Sequence, residues 1–259
     1  MKITKLLQLL RDNAAAERRP VNVVRNEEAS EATLYLYDVI DPWWGISAEA
    51  IAREVSALAG VETLHLRVNS PGGDVFEGRA IRTALQQFRG KTIGHIDGLA
   101  ASAATTVVDG CDEIEISEGA FYMIHNGWTL GYGNRHELGK TVKLLEKVDA
   151  AIVADYAKRT SLDVTQLVAW MDEETWFDSA EAVEHGFASR LAVAPDKTEA
   201  SNKDGAGPRN DCSWKLGAFN KVPKALLDRL QTPAQNDPDP DWAAVRAANE
   251  RRLRLLELA

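Results

Sequence analysis

TLHLRVNSPGGDVFEGRAIRTALQQF, residues 63–88, places a strand, a tight turn and a helix in immediate succession. The segment TLHLRV alternates apolar and polar side chains, which is the pattern of a half-buried strand. Pro71 followed by Gly72 and Gly73 is typical of a turn, because proline fixes one backbone angle and glycine accepts conformations that other residues avoid. The segment after Asp74 places four apolar side chains on one helical face, namely Ile81, Ala84, Leu85 and Phe88. This order predicts a layered α/β fold.

The same succession continues on both sides of this stretch. Strand-like alternation is found in ATLYLYDVI (32–40), KTIGHIDG (91–98), DEIEI (112–116) and AFYMIH (120–125). Helical spacing is found in SAEAIAREVSAL (47–58), in residues 136–159 and in DVTQLVAWM (163–171). The small residues from Ala100 to Val108 leave no polar face and predict a buried helix. Ser47 is a typical N-cap, and Asp178 with Glu181 has the spacing of a capping box.

Composition divides the chain into four parts. We predict an N-terminal segment over residues 1–31, a compact domain over 32–194, a linker-like region over 195–240 and a C-terminal helix over 241–259. The third part is rich in Pro, Gly, Asp and Asn, which favour linkers and mobile tails over a packed core. The last part has several leucines on a good helix-forming background, which indicates a helix that binds a partner or a second copy of the chain.

Charge and cysteine content exclude several classes of function. The formal net charge of the 259 residues is −9 and the pI is about 5.2, which argues against nucleic-acid binding. The two cysteines, Cys111 and Cys212, have neither the spacing of a zinc site nor that of a disulfide framework, so no metal is expected. No apolar run reaches the length of a membrane span. We therefore expect a cytoplasmic protein without membrane contact.

Ser102 is a candidate nucleophile, because a nucleophilic serine needs a base within reach and backbone N–H donors for the oxyanion. It follows a predicted strand and begins a predicted helix, where unpaired N–H groups are available. His125, at the end of an apolar strand, is the candidate base, and His95 is its rival. The adjacent Gly72 and Gly73 can turn an N–H outward. Each feature alone is also compatible with tight packing or a simple turn.

Four motifs in this order carry a resemblance to a known family: VNSPGGDVFEGRAI, GLAASAAT, FYMIH and WFDSAEAVEHGF. Over residues 32–194 they resemble the proteolytic subunit of the Clp protease, within the Clp/crotonase superfamily. The resemblance implies a fold of repeated ββα-type units in a layered sheet, with a protruding long helix and a flexible C-terminal tail. It also implies a serine-type endopeptidase without a cofactor that assembles into rings or stacked rings and takes protein or peptide substrates.

The resemblance also implies the site residues. Ser102 matches the nucleophile and His125 the base, while the N–H groups of Gly73 and Ala103 match the oxyanion hole. Gly72 and Gly73 together match the substrate-binding turn. The family usually has an aspartate as third triad member, and the ungapped match places Glu174 there. Asp172 is the alternative.

Two departures from the family pattern predict the biological setting. The Gln-Pro that usually follows the family's histidine is absent after His125, and the last 60 or so residues have no counterpart in cellular Clp subunits. Such chains resemble the head maturation proteases of tailed phages and prophages, which implies capsid, scaffold or portal partners. Three alternatives stay open: a cellular Clp subunit working with a separate ATPase, an acyl-CoA hydratase-like crotonase member, and a catalytically inactive capsid-assembly protein.

Overall fold

The computed structural model describes residues 21–26, 28–43, 45–193 and 216–231. Within them the strands are β1 (Asn22–Asn26), β2 (Glu31–Leu36), β3 (Thr63–Ser70), β4 (Lys91–Ala101), β5 (Glu113–Ile116), β6 (Phe121–Ile124), β7 (Thr175–Asp178) and β8 (Arg190–Leu191). The helices are α1 (Ala48–Ser56), α2 (Val75–Gln86), α3 (Ala103–Val108), α4 (Arg135–Thr160), α5 (Val164–Glu173), α6 (Ser179–Glu184) and α7 (Lys224–Gln231). The predicted C-terminal helix over 241–259 and most of the N-terminal segment lie outside the described residues.

The sheet is mostly parallel and runs in the order β1-β2-β3-β4-β5-β8. Strand β4 has two parallel neighbours on the same side. Its residues 93–96 pair with β5, and its C-terminal residues 99–101 pair with β6. Strand β7 then pairs with β6 in the antiparallel sense. Because β4 changes neighbours along its length, its C-terminal end and that of β6 lie side by side at one edge of the sheet.

The main core lies between one face of this sheet and the helices. In β2 and β3 every second side chain is buried, as the alternation in the sequence predicts, and the apolar faces of α1 and α2 cover them. Ile51, Ile81 and Leu66 are fully buried there. Each such side chain contributes about 1.5–3 kcal/mol by leaving water. The predicted Ser47 N-cap is present, since its hydroxyl accepts the Ala50 N–H at 3.2 Å.

The other face of the sheet carries a network of charged and polar side chains. Arg67 on β3 forms an ion pair with Asp97 on β4, and the Tyr37 hydroxyl donates to the same carboxylate at 2.5 Å. His65 and His95 lie ring to ring, with a nitrogen-to-nitrogen distance of 2.9 Å. These contacts satisfy polar groups on a half-buried surface that would otherwise lose hydrogen bonds to water.

The predicted helix from Ala100 to Val108 is wrong at its start. Strand β4 continues to Ala101, and α3 begins only at Ala103. Alanine favours helices, but Ala100 is held in the sheet by β3 on one side and by β6 on the other. Strand pairing therefore overrides local propensity here.

Helix α4 is long and only partly covered. A capping box between Asn134 and Glu137 fixes its start, and Ser161 in a left-handed conformation ends it. Three residues near its C-terminal end are buried, namely Ile152, Val153 and Tyr156. Toward its N-terminal end the apolar side chains are exposed, namely Leu138, Val142 and Leu144. This protruding long helix is the one that the sequence predicted.

Residues 216–231 pack against the domain, which differs from the linker-like interpretation of 195–240 for this part of the chain. They form a second apolar cluster with the ends of β4 and β6, whose buried members are Leu99, Ala101, Met123, Leu216, Ala218, Phe219 and Leu226. The apolar positions of LGAF and VPKALL explain the packing, although Gly- and Pro-rich surroundings obscure them in the sequence.

No helix among the described residues is long and apolar enough to cross a membrane.

Candidate active site

Ser102 and His125 are brought together by the pairing of β4 and β6. Ala101 lies opposite Met123 in the parallel register, so each candidate catalytic residue follows directly after paired strand ends. The Ser102 Oγ and the His125 Nε2 are 2.7 Å apart, which is hydrogen-bond distance. A base within this distance can take the hydroxyl proton as the oxygen attacks.

The backbone of Ser102 adopts a rare conformation that projects its side chain. Its φ is 55° and its ψ is −127°, a combination that costs on the order of 1–3 kcal/mol for a residue other than glycine. The Ser102 N–H donates to the Met123 carbonyl at 3.0 Å, and its carbonyl accepts the Thr105 N–H at 2.9 Å. These two bonds hold the strained turn between β4 and α3 in place.

The Pro-Gly-Gly turn packs directly on this strained turn. Gly72 has a φ of 87°, and a Cβ there would lie 2.4 Å from the Ala101 carbonyl oxygen and 2.8 Å from the Ser102 Cβ. Gly73 has a φ of 147°, and a Cβ there would lie 2.0 Å from the Ile40 carbonyl oxygen. Both positions therefore require glycine, because a side chain at 72 would push the turn away from Ser102 and a side chain at 73 would collide with the Ile40 backbone.

Two backbone N–H groups remain available beside the serine. Among the described residues, the N–H groups of Gly73 and Ala103 donate no hydrogen bond, and both residues line the same cleft as Ser102. The Ala103 N–H also belongs to the first residue of α3. Donors of this kind are suited to an oxyanion that forms on a substrate held next to the serine.

The His125 imidazole is 8% exposed and is surrounded by aromatic rings. The Trp128 ring lies 4.5 Å from it between centroids, and the Phe219 ring meets it edge-on at 5.8 Å. Trp128 and Phe219 also contact each other at 5.4 Å. The His125 imidazole is thus packed against two aromatic rings that also line the cleft.

The cleft in front of this pair is largely apolar. It encloses about 970 Å³ of empty space, part of which is open to solvent. Most of its apolar lining comes from α2, α4, Trp128 and residue 219, and includes Val75, Phe76, Leu144, Leu145, Val148, Ile152 and Phe219. A cleft of this kind can accept an apolar side chain of a ligand next to the Ser102 hydroxyl.

Glu174 lies next to His125 in the sheet, but its carboxylate accepts hydrogen bonds from other residues. Strand β7 places Thr175 opposite Ile124, so Glu174 falls beside His125 in register. Its carboxylate is 6% exposed and accepts the backbone N–H groups of Asn220 at 2.6 Å and Lys221 at 2.8 Å. The Asn220 side-chain amide also donates to it, at 3.1 Å. Its orienting function in a triad therefore stays a prediction.

The two other acidic residues near His125 bind the loop that follows it. Asp172, the alternative third member, accepts the Asn126 side-chain amide at 2.6 Å. Asp149 on α4 accepts the Gly127 N–H at 2.7 Å, and burial raises the pKa of this carboxyl above its usual value. Asp149 belongs to none of the sequence motifs, because one acid within a long charged helix carries no signal in the sequence.

His95, the rival base, lies on the polar face of the sheet. Its Nδ1 is 3.1 Å from a Glu115 oxygen and its Nε2 is 2.9 Å from the Nδ1 of His65. Burial lowers the pKa of His95 to about 4, despite the nearby Glu115 carboxylate. These contacts engage His95 in the network with Glu115 and His65, whereas His125 bonds to Ser102.

Together the strained serine, the paired histidine and the turn of two glycines define a Clp/crotonase-type α/β protein with a Ser-His pair at adjacent strand ends. The Clp protease family model matches residues 34–194, which is more than half of the chain, and the chain belongs to that family. The family assignment therefore covers both Ser102 and His125.

Individual relatives agree with this assignment. The ATP-dependent Clp protease proteolytic subunit 2 of Treponema denticola is 28% identical over 152 residues, covering 56% of this chain and 75% of the relative. The corresponding subunit of Bacteroides thetaiotaomicron is 22% identical over 183 residues, covering 68% and 83%. A solved structure, that of a ClpP1 mutant from Listeria monocytogenes, is similar with a TM-score of 0.57 at 20% identity, over 63% of this chain and 92% of that one. This confirms the predicted Clp-like fold.

Proposed function

We propose that this protein is a serine endopeptidase that cuts peptide bonds through an acyl-enzyme. The observation that carries the proposal is the 2.7 Å contact between the Ser102 Oγ and the His125 Nε2, next to the two N–H groups of Gly73 and Ala103. This arrangement provides a nucleophile, a base and an oxyanion site.

In the proposed reaction the Ser102 oxygen attacks the carbonyl carbon of the peptide bond while His125 takes the hydroxyl proton. The carbonyl oxygen becomes an oxyanion that accepts hydrogen bonds from Gly73 and Ala103. His125 then gives its proton to the leaving nitrogen, and the C–N bond breaks. Water repeats the sequence on the ester, with His125 again as base, which releases the acid and restores the serine.

The cleft supports a peptide with an apolar side chain next to the cut bond. Val148 and Ile152 of α4 and Phe76 of α2 line the space beside Ser102. A charged side chain there would lose its hydration without a compensating partner. We expect leucine, methionine or phenylalanine to be preferred over aspartate or lysine at this position.

The third member of the triad is tested separately from the pair. The register of β7 beside β6 supports Glu174 as the proposed orienting residue, and Asp172 is the alternative. Cleavage of small peptides by Glu174→Gln and by Asp172→Asn distinguishes the two. Substitution of the orienting residue should lower kcat for every substrate, because the imidazole loses its preferred orientation.

A fluorophosphonate probe tests the proposed nucleophile. The wild-type chain should be labelled at Ser102, and Ser102→Ala should abolish labelling while keeping the same melting temperature within a few degrees. A crotonase-type hydratase acting through carboxylates would not be labelled, and a catalytically inactive assembly protein would neither be labelled nor cut peptides. Absence of wild-type labelling would therefore reject the peptidase.

We propose head maturation in a tailed phage or prophage as the setting, with capsid, scaffold or portal proteins as substrates or partners. The support is the departure from the cellular pattern after His125 and the extra chain beyond the family match. The relatives named above favour the alternative, a Clp subunit that works with a separate ATPase. Processing of co-expressed capsid and scaffold proteins without any ATPase supports the first setting, whereas ATPase-dependent degradation supports the second.

The exposed apolar side chains of α4 support the proposed ring assembly. Leu138 and Val142 are 42% and 54% exposed on a helix that protrudes from the domain. Apolar groups on a protruding helix are stabilised when a second copy covers them. Light scattering of the full chain tests this: the mass should be a multiple of the protomer, and Val142→Asp should lower it.

A further inference from the structure

Residues 216–231 lie beyond the 34–194 family match, yet Phe219 within them packs against the His125 imidazole. We propose that this segment is a built-in part of the active site, in which Glu174 anchors the segment and Phe219 forms a wall of the cleft that selects the substrate side chain. The inference rests on the proposed peptidase function for its substrate readout.

The first observation is the position of Phe219. Its ring lines the cleft that contains Ser102 and packs edge-on against the His125 imidazole at 5.8 Å. It also contacts Trp128 at 5.4 Å and Trp176 at 5.8 Å. The ring is 7% exposed, so its neighbours fix its place and it forms a rigid boundary to the cleft.

The second observation is the buried anchor. Both oxygens of Glu174 are used by the segment: Oε1 accepts the N–H groups of Asn220 and Lys221, and Oε2 accepts the Asn220 side-chain amide. Hydrogen bonds to an ionised acceptor are stronger than those between neutral groups. These donors come from the two residues after Phe219, so the anchor fixes the backbone that carries the ring.

The third observation is what lies beneath the segment. Leu216, Phe219 and Leu226 pack on Leu99, Ala101 and Met123, which are the strand ends that lead to Ser102 and His125. The segment thus covers apolar groups at the base of the catalytic pair as well as lining the cleft in front of it.

A substrate panel tests the wall. We expect Phe219→Ala to enlarge the cleft, so the ratio of kcat/KM for peptides with phenylalanine at the cut site to those with alanine should rise about tenfold, mainly through KM. Val222→Ala is the matched control, because Val222 packs in the same cluster but does not line the cleft. That control should change the ratio less than twofold. If the segment is purely structural, both variants should lower kcat/KM by the same factor for all peptides. That result would reject the role of Phe219 as a wall of the cleft.

Hydrogen exchange tests the anchor without any catalysis. The Asn220 and Lys221 backbone amides should exchange at least about tenfold faster in Glu174→Gln, because both donate to the same carboxylate oxygen and a neutral amide oxygen accepts them more weakly than an ionised carboxylate does. Asp172→Asn, which alters a neighbouring acid bonded to Asn126, should leave them unchanged. Unchanged exchange in Glu174→Gln would reject the anchor even if the peptidase is active. Faster exchange in an unlabelled, inactive protein would instead reject the peptidase and retain the anchor.

Discussion

Gly72→Ala is expected to disable the site through a single added methyl group. The new Cβ would lie 2.4 Å from the Ala101 carbonyl oxygen, 2.8 Å from the Ser102 Cβ and 2.9 Å from the Ala103 nitrogen. All three groups belong to the strained turn that presents the Ser102 hydroxyl. Since real Cβ atoms do not approach other atoms below 3.0 Å, the turn has to move by a few tenths of an ångström or more.

The size of the effect has two separable parts. The φ of 87° alone costs about 1–2 kcal/mol for alanine, because its Cβ is crowded in left-handed backbone. Gly60 is a matched control for this part: its φ is 81°, and a Cβ there meets nothing within 4 Å. Gly60→Ala should therefore lose about 1–2 kcal/mol of unfolding free energy and keep full activity.

The second part is the displacement of Ser102. A misplacement of about 1 Å between reacting groups can reduce the rate about a hundredfold. We expect Gly72→Ala to lose more stability than Gly60→Ala in urea denaturation and to label with a fluorophosphonate about a hundredfold more slowly. If both variants label at the wild-type rate, contact between the glycine turn and the serine does not control the geometry of the site.

The other predictions concern the catalytic pair and the polar face. Ser102→Ala and His125→Ala should each lower peptide turnover by several orders of magnitude while the double variant loses little more, because the two side chains act as one unit; additive losses would contradict a shared step. Since the pKa of His95 is lowered to about 4 from 6.5, its neutral form favours the fold, and this stabilisation is complete above pH 6.5 and is lost as the pH falls toward 4. Between pH 7 and pH 4.5 the loss of unfolding free energy should be up to about 2.5 kcal/mol, and it should shrink in His95→Gln. An equal loss in that variant would assign the pH dependence to other groups.

Local patterns predicted the parts of the fold that depend on neighbouring residues. Alternation identified β2 and β3, three-to-four spacing identified α4, and the capping box of Asp178 and Glu181 is present as expected. The start of α3 was wrong because the pairing of Ala100 with two other strands is a long-range effect that no local window contains.

In the candidate site, too, local motifs predicted some residues and tertiary packing determines the others. The motifs drew attention to Ser102 and His125, and the structure brings these two side chains into contact. Phe219 was missed because it lies about 90 residues from His125 in a Gly- and Pro-rich region, where only tertiary packing reveals its place. For Glu174, sequence order gave the position beside β6 but not the partners of the carboxylate, which come from residues 220 and 221.

Because Phe219 comes late in the chain, the cleft is completed only some time after Ser102 and His125 have been synthesised. Ribosomes add about 5–20 residues each second, and 94 residues separate His125 from Phe219. Ser102 and His125 are therefore synthesised roughly 5–20 seconds before the ring that packs against the imidazole. During that interval the nascent chain carries the Ser102 and His125 side chains but not the completed cleft around them.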